Sequence, residues 1–146
     1  MSNAFTEKAG VMEKSDLGQK DYETIAAFRH LLRHFAAFSE ADARAAGLTA
    51  QQHQALLAIK GTPVRDAVSV NDIAAHLLIR HNTAVELVDR LADAQWVRRL
   101  PDPTDGRRIL VALTERAERV LRDLAVTHQR ELRAIRSTLL TLLKQV

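Results

Sequence analysis

The chain contains no cysteine, and this absence excludes several classes of protein. Without thiols it has no disulfide framework, no cysteine-based zinc site and no thiol redox sensor. No apolar run reaches the length of a membrane span and no secretory signal is visible, so the sequence predicts a cytoplasmic protein. Aromatic residues make up only 4% of the 146 residues, whereas hydrophobic residues make up 47%. This composition is typical of one mostly helical domain.

The motifs of common enzyme classes are also missing. The sequence has no nucleophile elbow, no P-loop and no dinucleotide-binding fingerprint. We therefore expect a protein that binds rather than catalyses, and we expect no cofactor. The net charge of +3 favours a polyanionic partner, but many domains are equally basic and the charge alone does not identify one.

Hydrophobic spacing and capping signals predict the first three helices. Apolar residues three and four apart predict a helix over about 21–44, ended by Gly47. Residues 49–52 have the form of a capping box and predict a second helix, which stops before Gly61. Residues 69–72 carry a further cap signal and predict a short third helix.

Two later segments predict the remaining helices. A turn around residues 78–83 leads into a fourth helix, which ends near Gln95. A long helix starts at Glu115 and carries apolar residues on one face, with a break expected near Ser137. The polar residues 1–20 show no sustained period, so we expect a loose arm followed by one domain over residues 21–146.

Residues 105–114 are the most informative stretch of the chain. Asp105 and Gly106 end a segment rich in proline and aspartate, which predicts a tight turn. The return strand shows the alternation of a half-buried strand, with apolar residues at Ile109, Val111 and Leu113. Thr114 then caps the last helix. A β-hairpin after two short helices predicts a mostly α winged helix-turn-helix protein, in which the hairpin is a small wing.

The first and last helices are too long and too apolar to belong to that small lobe. Their apolar faces need a partner, and the simplest partner is a second copy of the chain. We therefore expect a DNA-reading lobe at residues 48–113, with N- and C-terminal dimerisation helices at 21–46 and 115–146.

Several motifs between about residues 21 and 135 match one known pattern. Asp105, Arg107 and the pair Leu113-Thr114 form its most specific part, and residues 83–91 match its recognition helix. On these motifs the chain resembles the MarR (multiple antibiotic resistance regulator) family of transcription factors. The resemblance implies a homodimer on a pseudo-palindromic double-stranded DNA operator. It also implies a ligand-responsive regulator, more often a repressor, which a small phenolic or other aromatic acid releases from DNA.

The wing is expected to contact DNA through its arginines. Arg107 suits a narrow minor groove or a phosphate group. Asp105 is expected to stabilise the wing and to position Arg107, and the alternative is that their side chains only pair with each other. Arg108 is expected to face either phosphate or solvent.

The start of the recognition helix is the second expected DNA contact, because this end of the helix enters the major groove in helix-turn-helix proteins. Its candidate residues are Arg80, His81, Asn82, Thr83 and Glu86. The alternative for Asn82 is that it only caps the helix. Glu86 departs from the family pattern, since an acid repels phosphate although it can accept a hydrogen bond from cytosine N4. Gln95 and Trp96 stand where the family has Gly-Leu, which puts a left-handed helix cap in question.

Five side chains are candidates for an effector pocket: His30, His34, Phe35, Phe38 and His53. An imidazole can donate to a carboxylate while phenylalanine rings pack on an aromatic ligand. A regulatory metal is the alternative, because His30 and His34 are four residues apart and His53 could converge with His128. No carboxylates cluster with them, so we predict no metal. The other alternative is a winged-helix protein-interaction module that has lost DNA binding.

Overall fold

The computed structural model describes residues 14–62 and 67–146. Its elements follow one another as a 3-10 turn (Lys14–Asp16), α1 (Gln19–Ala45), α2 (Ala50–Lys60), β1 (Ala67–Ser69), α3 (Val70–Leu77), α4 (His81–Asp93), β2 (Val97–Pro101), β3 (Ile109–Leu113) and α5 (Glu115–Leu143). Most of the predicted arm, residues 1–13, lies outside the described residues. The mostly helical fold with a small wing is as the sequence predicts.

Two capping boxes define where α2 and α3 begin. The Thr49 hydroxyl accepts a hydrogen bond from the Gln52 amide at 3.1 Å, and the Gln52 side chain accepts one from the Thr49 amide at 3.0 Å. Ser69 and Asp72 form the same reciprocal pair, at 3.1 and 3.0 Å. These bonds satisfy amides that a helix start leaves without partners, which confirms both predicted helix starts.

The last helix is continuous, and the predicted break near Ser137 is wrong. The Ser137 carbonyl accepts a hydrogen bond from the Thr141 hydroxyl at 2.9 Å, within the same helix. No glycine or proline interrupts α5, so nothing opposes its propagation. The Thr24 hydroxyl donates to the Gln145 side chain at 2.9 Å, which joins the start of α1 to the end of the chain. Among the helices of residues 14–62 and 67–146, none is both long and apolar enough to cross a membrane.

The wing belongs to a three-stranded antiparallel sheet, not to an isolated hairpin. β3 is the central strand, between β1 and β2, and Ala112 pairs with Ala67 on one side and Arg98 on the other. β1 is only three residues long and was not predicted from the sequence. The predicted alternation of β3 is also wrong, because residues 110–113 are all buried and only Ile109 is exposed. Val111 and Leu113 face the apolar core. Leu110 and Ala112 lie on the other face, where side chains of the paired residues on both neighbouring strands flank them: Ala67, Arg98 and Leu100.

One apolar core holds the lobe together. Its largest fully buried side chains come from α2, α3, α4 and β3: Leu56, Ile59, Ile73, Val88, Leu91 and Val111. Leu121 and Leu124 of α5 belong to the same cluster. The core therefore joins the helix-turn-helix pair, the sheet and the beginning of the last helix.

Gln95 adopts the left-handed conformation, with φ of 61°, that the family pattern gives to glycine. The Trp96 amide donates to the Leu91 carbonyl at 2.9 Å, and the Thr114 hydroxyl donates to the Gln95 carbonyl at 2.9 Å. The Arg116 guanidinium lies 3.8 Å from the centroid of the buried Trp96 ring. These contacts hold the turn in a conformation that L-residues seldom adopt.

Candidate nucleic-acid interface

The turn between α3 and α4 sets the geometry of the helix pair. It spans residues 78–80, and Leu78 takes a left-handed conformation with φ of 56°. The Ile79 amide donates to the Ala74 carbonyl at 3.0 Å and closes the end of α3. A short turn of this kind between two helices is the arrangement of a helix-turn-helix.

The predicted recognition residues lie together at the start of α4. Arg80 is the N-cap residue and makes no side-chain capping bond. The other four candidates are exposed on the first turns of the helix: His81, Asn82, Thr83 and Glu86. The alternative in which Asn82 caps the helix is wrong, because Asn82 lies inside α4. Contact of these residues with DNA stays a prediction.

Asn71 also belongs to this surface, although the sequence did not predict it as a site residue. Its Oδ1 lies 2.6 Å from the Nδ1 of His81, so the side chain of α3 holds the imidazole of α4. The two residues are ten positions apart, and no local pattern links them. The contact exists because the turn brings the start of α3 beside the start of α4.

Arg99 and Asp89 form an ion pair between β2 and α4. Both side chains are partly exposed, so the pair adds little stability. The pair instead changes the distribution of charge on α4. It neutralises Asp89, which is the next acidic residue after Glu86 on this helix. Of the two adjacent arginines in β2, Arg98 is exposed and has no ion pair with any residue of the described ranges.

Two aspartates stabilise the wing through hydrogen bonds with nearby residues. Asp102 is 5% exposed, and its carboxylate accepts from the Thr104 amide at 2.9 Å and the Thr104 hydroxyl at 2.8 Å. The Asp105 carboxylate accepts from the Arg107 amide at 3.1 Å. Arg107 is exposed, and no ion pair links its side chain to that of Asp105 in the described part of the chain.

Arg108 points in another direction. Its guanidinium lies 3.8 Å from the Asp72 carboxylate of α3, a long ion pair between partly exposed groups. Arg108 and Asp72 also line a surface pocket together with His76. The two neighbouring wing arginines therefore differ, because one is exposed at the tip and the other lies near the helix pair.

A second cluster lies where α1, α2 and α5 meet. The rings of Phe35, Phe38 and His53 all lie against His128, with centroid distances of 6.0, 5.2 and 4.9 Å. Nδ1 of His128 donates to the Leu124 carbonyl at 2.7 Å. The structure thus brings together three of the five predicted pocket residues. It also confirms the predicted convergence of His53 with His128.

His128 has polar neighbours in this cluster, whereas one ring nitrogen of His53 has none among the described residues. Nε2 of His128 lies 2.7 Å from the Ser39 hydroxyl, and its Nδ1 lies 3.4 Å from the Asp42 carboxylate. His53 is 3% exposed, and its Nδ1 has no hydrogen-bond partner among the described residues. Burial lowers the pKa of His53, nearby His128 lowers it further, and Asp42 acts in the opposite direction.

His30 and His34 lie apart from this cluster. Both are exposed on α1, and their rings contact each other at 4.5 Å in a T-shaped arrangement. Within residues 14–62 and 67–146, no group of three or more histidine or acidic side chains could hold a metal ion. Neither pair of histidines therefore has the further ligands that a metal centre needs.

Comparison with known proteins relates the lobe to one family. The sequence model of the MarR family matches residues 46–108, which include α2, α3, α4 and β2. No curated protein sequence matches the chain. Solved structures with the same fold include AbsC of Streptomyces coelicolor, a MarR family transcriptional regulator. It is 21% identical over 81% of this chain and 79% of its own, with a TM-score of 0.69.

The similar structures also include two proteins whose DNA binding is described. A point mutant of MepR of S. aureus, bound to an oligodeoxyribonucleotide, is 18% identical over 83% of this chain and 84% of its own, with a TM-score of 0.63. BpsR of Bordetella bronchiseptica, whose DNA binding is regulated by 6-hydroxynicotinic acid, is 20% identical over 93% of this chain and 96% of its own, with a TM-score of 0.61.

The buried His53 predicts a pH-dependent stability. Its pKa is lower in the folded chain than in the unfolded chain, so the unfolded chain binds the proton more readily. Its contribution is therefore complete above about pH 6.5 and is lost as the pH falls through the folded-state pKa. We expect the free energy of unfolding, measured with urea, to fall less between about pH 7.5 and about pH 5.5 in His53→Leu than in the unmodified chain.

His30→Leu is the matched control, since His30 is exposed and the same side chain is exchanged. It should show the pH dependence of the unmodified chain. An equally steep loss of stability in His53→Leu would contradict the assignment of this pH dependence to His53.

Proposed function

Because residues 46–108 match the MarR family model and the chain has the fold of that family's regulators, we propose that it acts as a homodimeric transcriptional repressor. In this proposal a small aromatic acid releases the dimer from a pseudo-palindromic operator. One observation carries the proposal: a helix-turn-helix with an exposed polar recognition surface is followed by a wing whose tip arginine is unpaired among the described residues. In this proposal the protein binds chromosomal DNA and catalyses no reaction.

The lobe supplies two kinds of DNA contact. The start of α4 would enter the major groove and read base edges, as in other helix-turn-helix proteins. Arg107 would enter the flanking minor groove, where the electrostatic potential attracts a guanidinium. The hydrogen bond from the Arg107 amide to Asp105 supports this role, because it fixes the backbone that carries the side chain. The DNA-bound MepR structure supports the DNA partner.

The outer helices supply the dimer interface in this proposal. α1 and α5 leave seven large apolar side chains exposed in the single chain: Tyr22, Ile25, Leu32, Val126, Leu132, Leu140 and Leu143. Apolar faces of this extent are typical of interfaces between protein chains. A two-fold axis through them would place the lobes on half-sites about 34 Å apart, one turn of the DNA helix.

We place the effector where α1, α2 and α5 meet, between the dimerisation helices and the lobe. Phe35 and Phe38 offer aromatic surfaces, and the partnerless Nδ1 of His53 offers a polar contact for a carboxylate. His30 and His34 remain candidates for the outer side of this site. The regulation of BpsR by 6-hydroxynicotinic acid supports a ligand of this class. Binding that favours one lobe spacing would then shift the population away from the DNA-bound form.

Removing the wing arginine should weaken DNA binding without changing its sequence preference. Arg107→Ala is expected to lower the affinity for every DNA sequence and to reduce the slope of log affinity against log salt by about one. Fluorescence anisotropy with DNA from upstream of its own gene measures both quantities. Arg119→Ala removes the same charge from an exposed position on α5 and is the control. An unchanged slope in Arg107→Ala would show that Arg107 makes no phosphate contact. A protein-interaction module would show no salt-dependent DNA binding at all.

A charge in the apolar face of α5 should separate the dimer. Leu132→Asp is expected to convert the dimer to a monomer in sedimentation experiments, because burying an unpaired carboxylate in the interface is unfavourable. Leu78→Asp places the same charge on an exposed turn and should leave the oligomeric state unchanged. A dimer that persists in Leu132→Asp would exclude Leu132 from the interface.

Aromatic acids should release the DNA through the His53 cluster. We expect 6-hydroxynicotinic or benzoic acid to lower the DNA affinity of the unmodified chain, and we expect His53→Leu to need a higher concentration for the same release. The DNA affinity of His53→Leu without ligand should be unchanged, because His53 lies outside the predicted DNA contacts. If His53→Leu and the unmodified chain respond alike, the effector site lies elsewhere.

A further inference from the structure

We infer that Glu86 reads cytosine in the major groove by accepting a hydrogen bond from the N4 amino group. The inference rests on the proposed DNA-binding function and adds a base preference to it. It starts from an acid on the exposed face of the recognition helix, where the phosphates of DNA make an unsatisfied negative charge unfavourable.

The position of Glu86 on α4 points it away from the protein core. The residues that α4 buries form one face of the helix: Ala84, Leu87, Val88 and Leu91. Successive residues are about 100° apart around a helix axis, so Glu86 and Asn82 lie close to the middle of the opposite face. A helix packed on the lobe through its buried face presents this opposite face to the groove.

The surroundings of Glu86 leave its carboxylate without a cation. No residue of the described ranges forms an ion pair with Glu86. Arg99 pairs with the neighbouring acid Asp89 instead. His81, at the edge of the same surface, is held by Asn71 of α3 at 2.6 Å. The carboxylate is therefore hydrated in the free protein and loses that water when the helix enters a groove, so it needs a donor from the DNA.

Only two base edges offer such a donor in the major groove. They are the N4 amino group of cytosine and the N6 amino group of adenine. Adenine also presents the N7 acceptor beside its amino group, and this acceptor repels a carboxylate. Cytosine has no acceptor at that edge, so the chemistry of Glu86 favours a C·G pair over the three other base pairs.

The neutral amide of glutamine has the opposite preference. It can accept from N6 and donate to N7 of adenine at the same time, so it pairs with adenine in a bidentate manner. Glu86→Gln keeps the length and shape of the side chain. We expect it to change the preferred base at one position of each half-site from cytosine to adenine. The affinity ratio of the cytosine site to the adenine site should fall by about five- to 150-fold, the range for one good base contact.

Selection from random double-stranded DNA with the full-length protein tests this. The unmodified protein should enrich sites with one fixed C·G pair in each half, and Glu86→Gln should enrich A·T there while the other positions stay the same. Anisotropy titrations of the two selected sites with both proteins then give the affinity ratios. Asp93→Asn, at the far end of α4, removes the same charge and should enrich the sites of the unmodified protein.

The outcomes separate this inference from the proposed function. If Glu86→Gln enriches the same sites as the unmodified protein while binding remains salt-dependent, Glu86 does not read a base, although the protein binds DNA. If Glu86→Gln raises the affinity for all sequences equally, and by as much as Asp93→Asn does, Glu86 acts only through its charge and does not read a base. If the unmodified protein enriches no sequence and shows no salt-dependent binding, the proposed function fails and this inference fails with it.

Discussion

The structure depends on the apolar cluster that holds α4 against the sheet and the other helices of the lobe. Val88 and Leu91 of α4 are fully buried with Ile73 of α3 and Val111 of β3. Because this face of α4 is committed to the core, its opposite face is left to solvent, and the polar residues at its start become available to a partner. The packing that buries one face of α4 therefore also exposes the other face, and this exposed face forms the candidate recognition surface.

Contacts at the end of α4 also connect the lobe to the last helix. Thr114 ends the wing strand, caps α5 and donates to the Gln95 carbonyl after α4. Arg116 on the first turn of α5 lies over the buried Trp96 ring. A rotation of α5 would therefore change contacts at the end of α4. The histidine cluster lies farther along α5, where His128 meets His53 of α2. The proposed effector site and the turn after α4 therefore both contact the same long helix, which offers a physical route for the proposed regulation.

Local signals predicted the parts of the fold that local chemistry controls. Thr49 and Ser69 start helices because their hydroxyls accept from amides three residues later, within the same segment. Asp105 stabilises the wing through the amide of Arg107, two residues away. Short segments of the sequence likewise predicted the tight turn, the return strand and the cap of α5. Each of these features needs only neighbours that the sequence itself supplies.

Other features depend on contacts between distant parts of the chain. β1 is too short to show a pattern, and it becomes a strand only because β3 offers an unpaired edge. Leu110 and Ala112 are buried because side chains of both β1 and β2 flank them, and a two-stranded hairpin would supply these neighbours on one side only. The meeting of His53 and His128 and the bond between Asn71 and His81 likewise arise from helix packing.

Short-range signals along the chain are sufficient for the helix starts and the wing, since the residues that form each of them are only a few positions apart. Tertiary structure decided which polar groups are left without partners. It pairs Arg99 with Asp89 and brings Arg108 near Asp72, while Arg107 is exposed and unpaired among the described residues. The physical reason is that a charge is available for a partner only when no neighbour in space neutralises it, and neighbours in space are set by packing rather than by order along the chain.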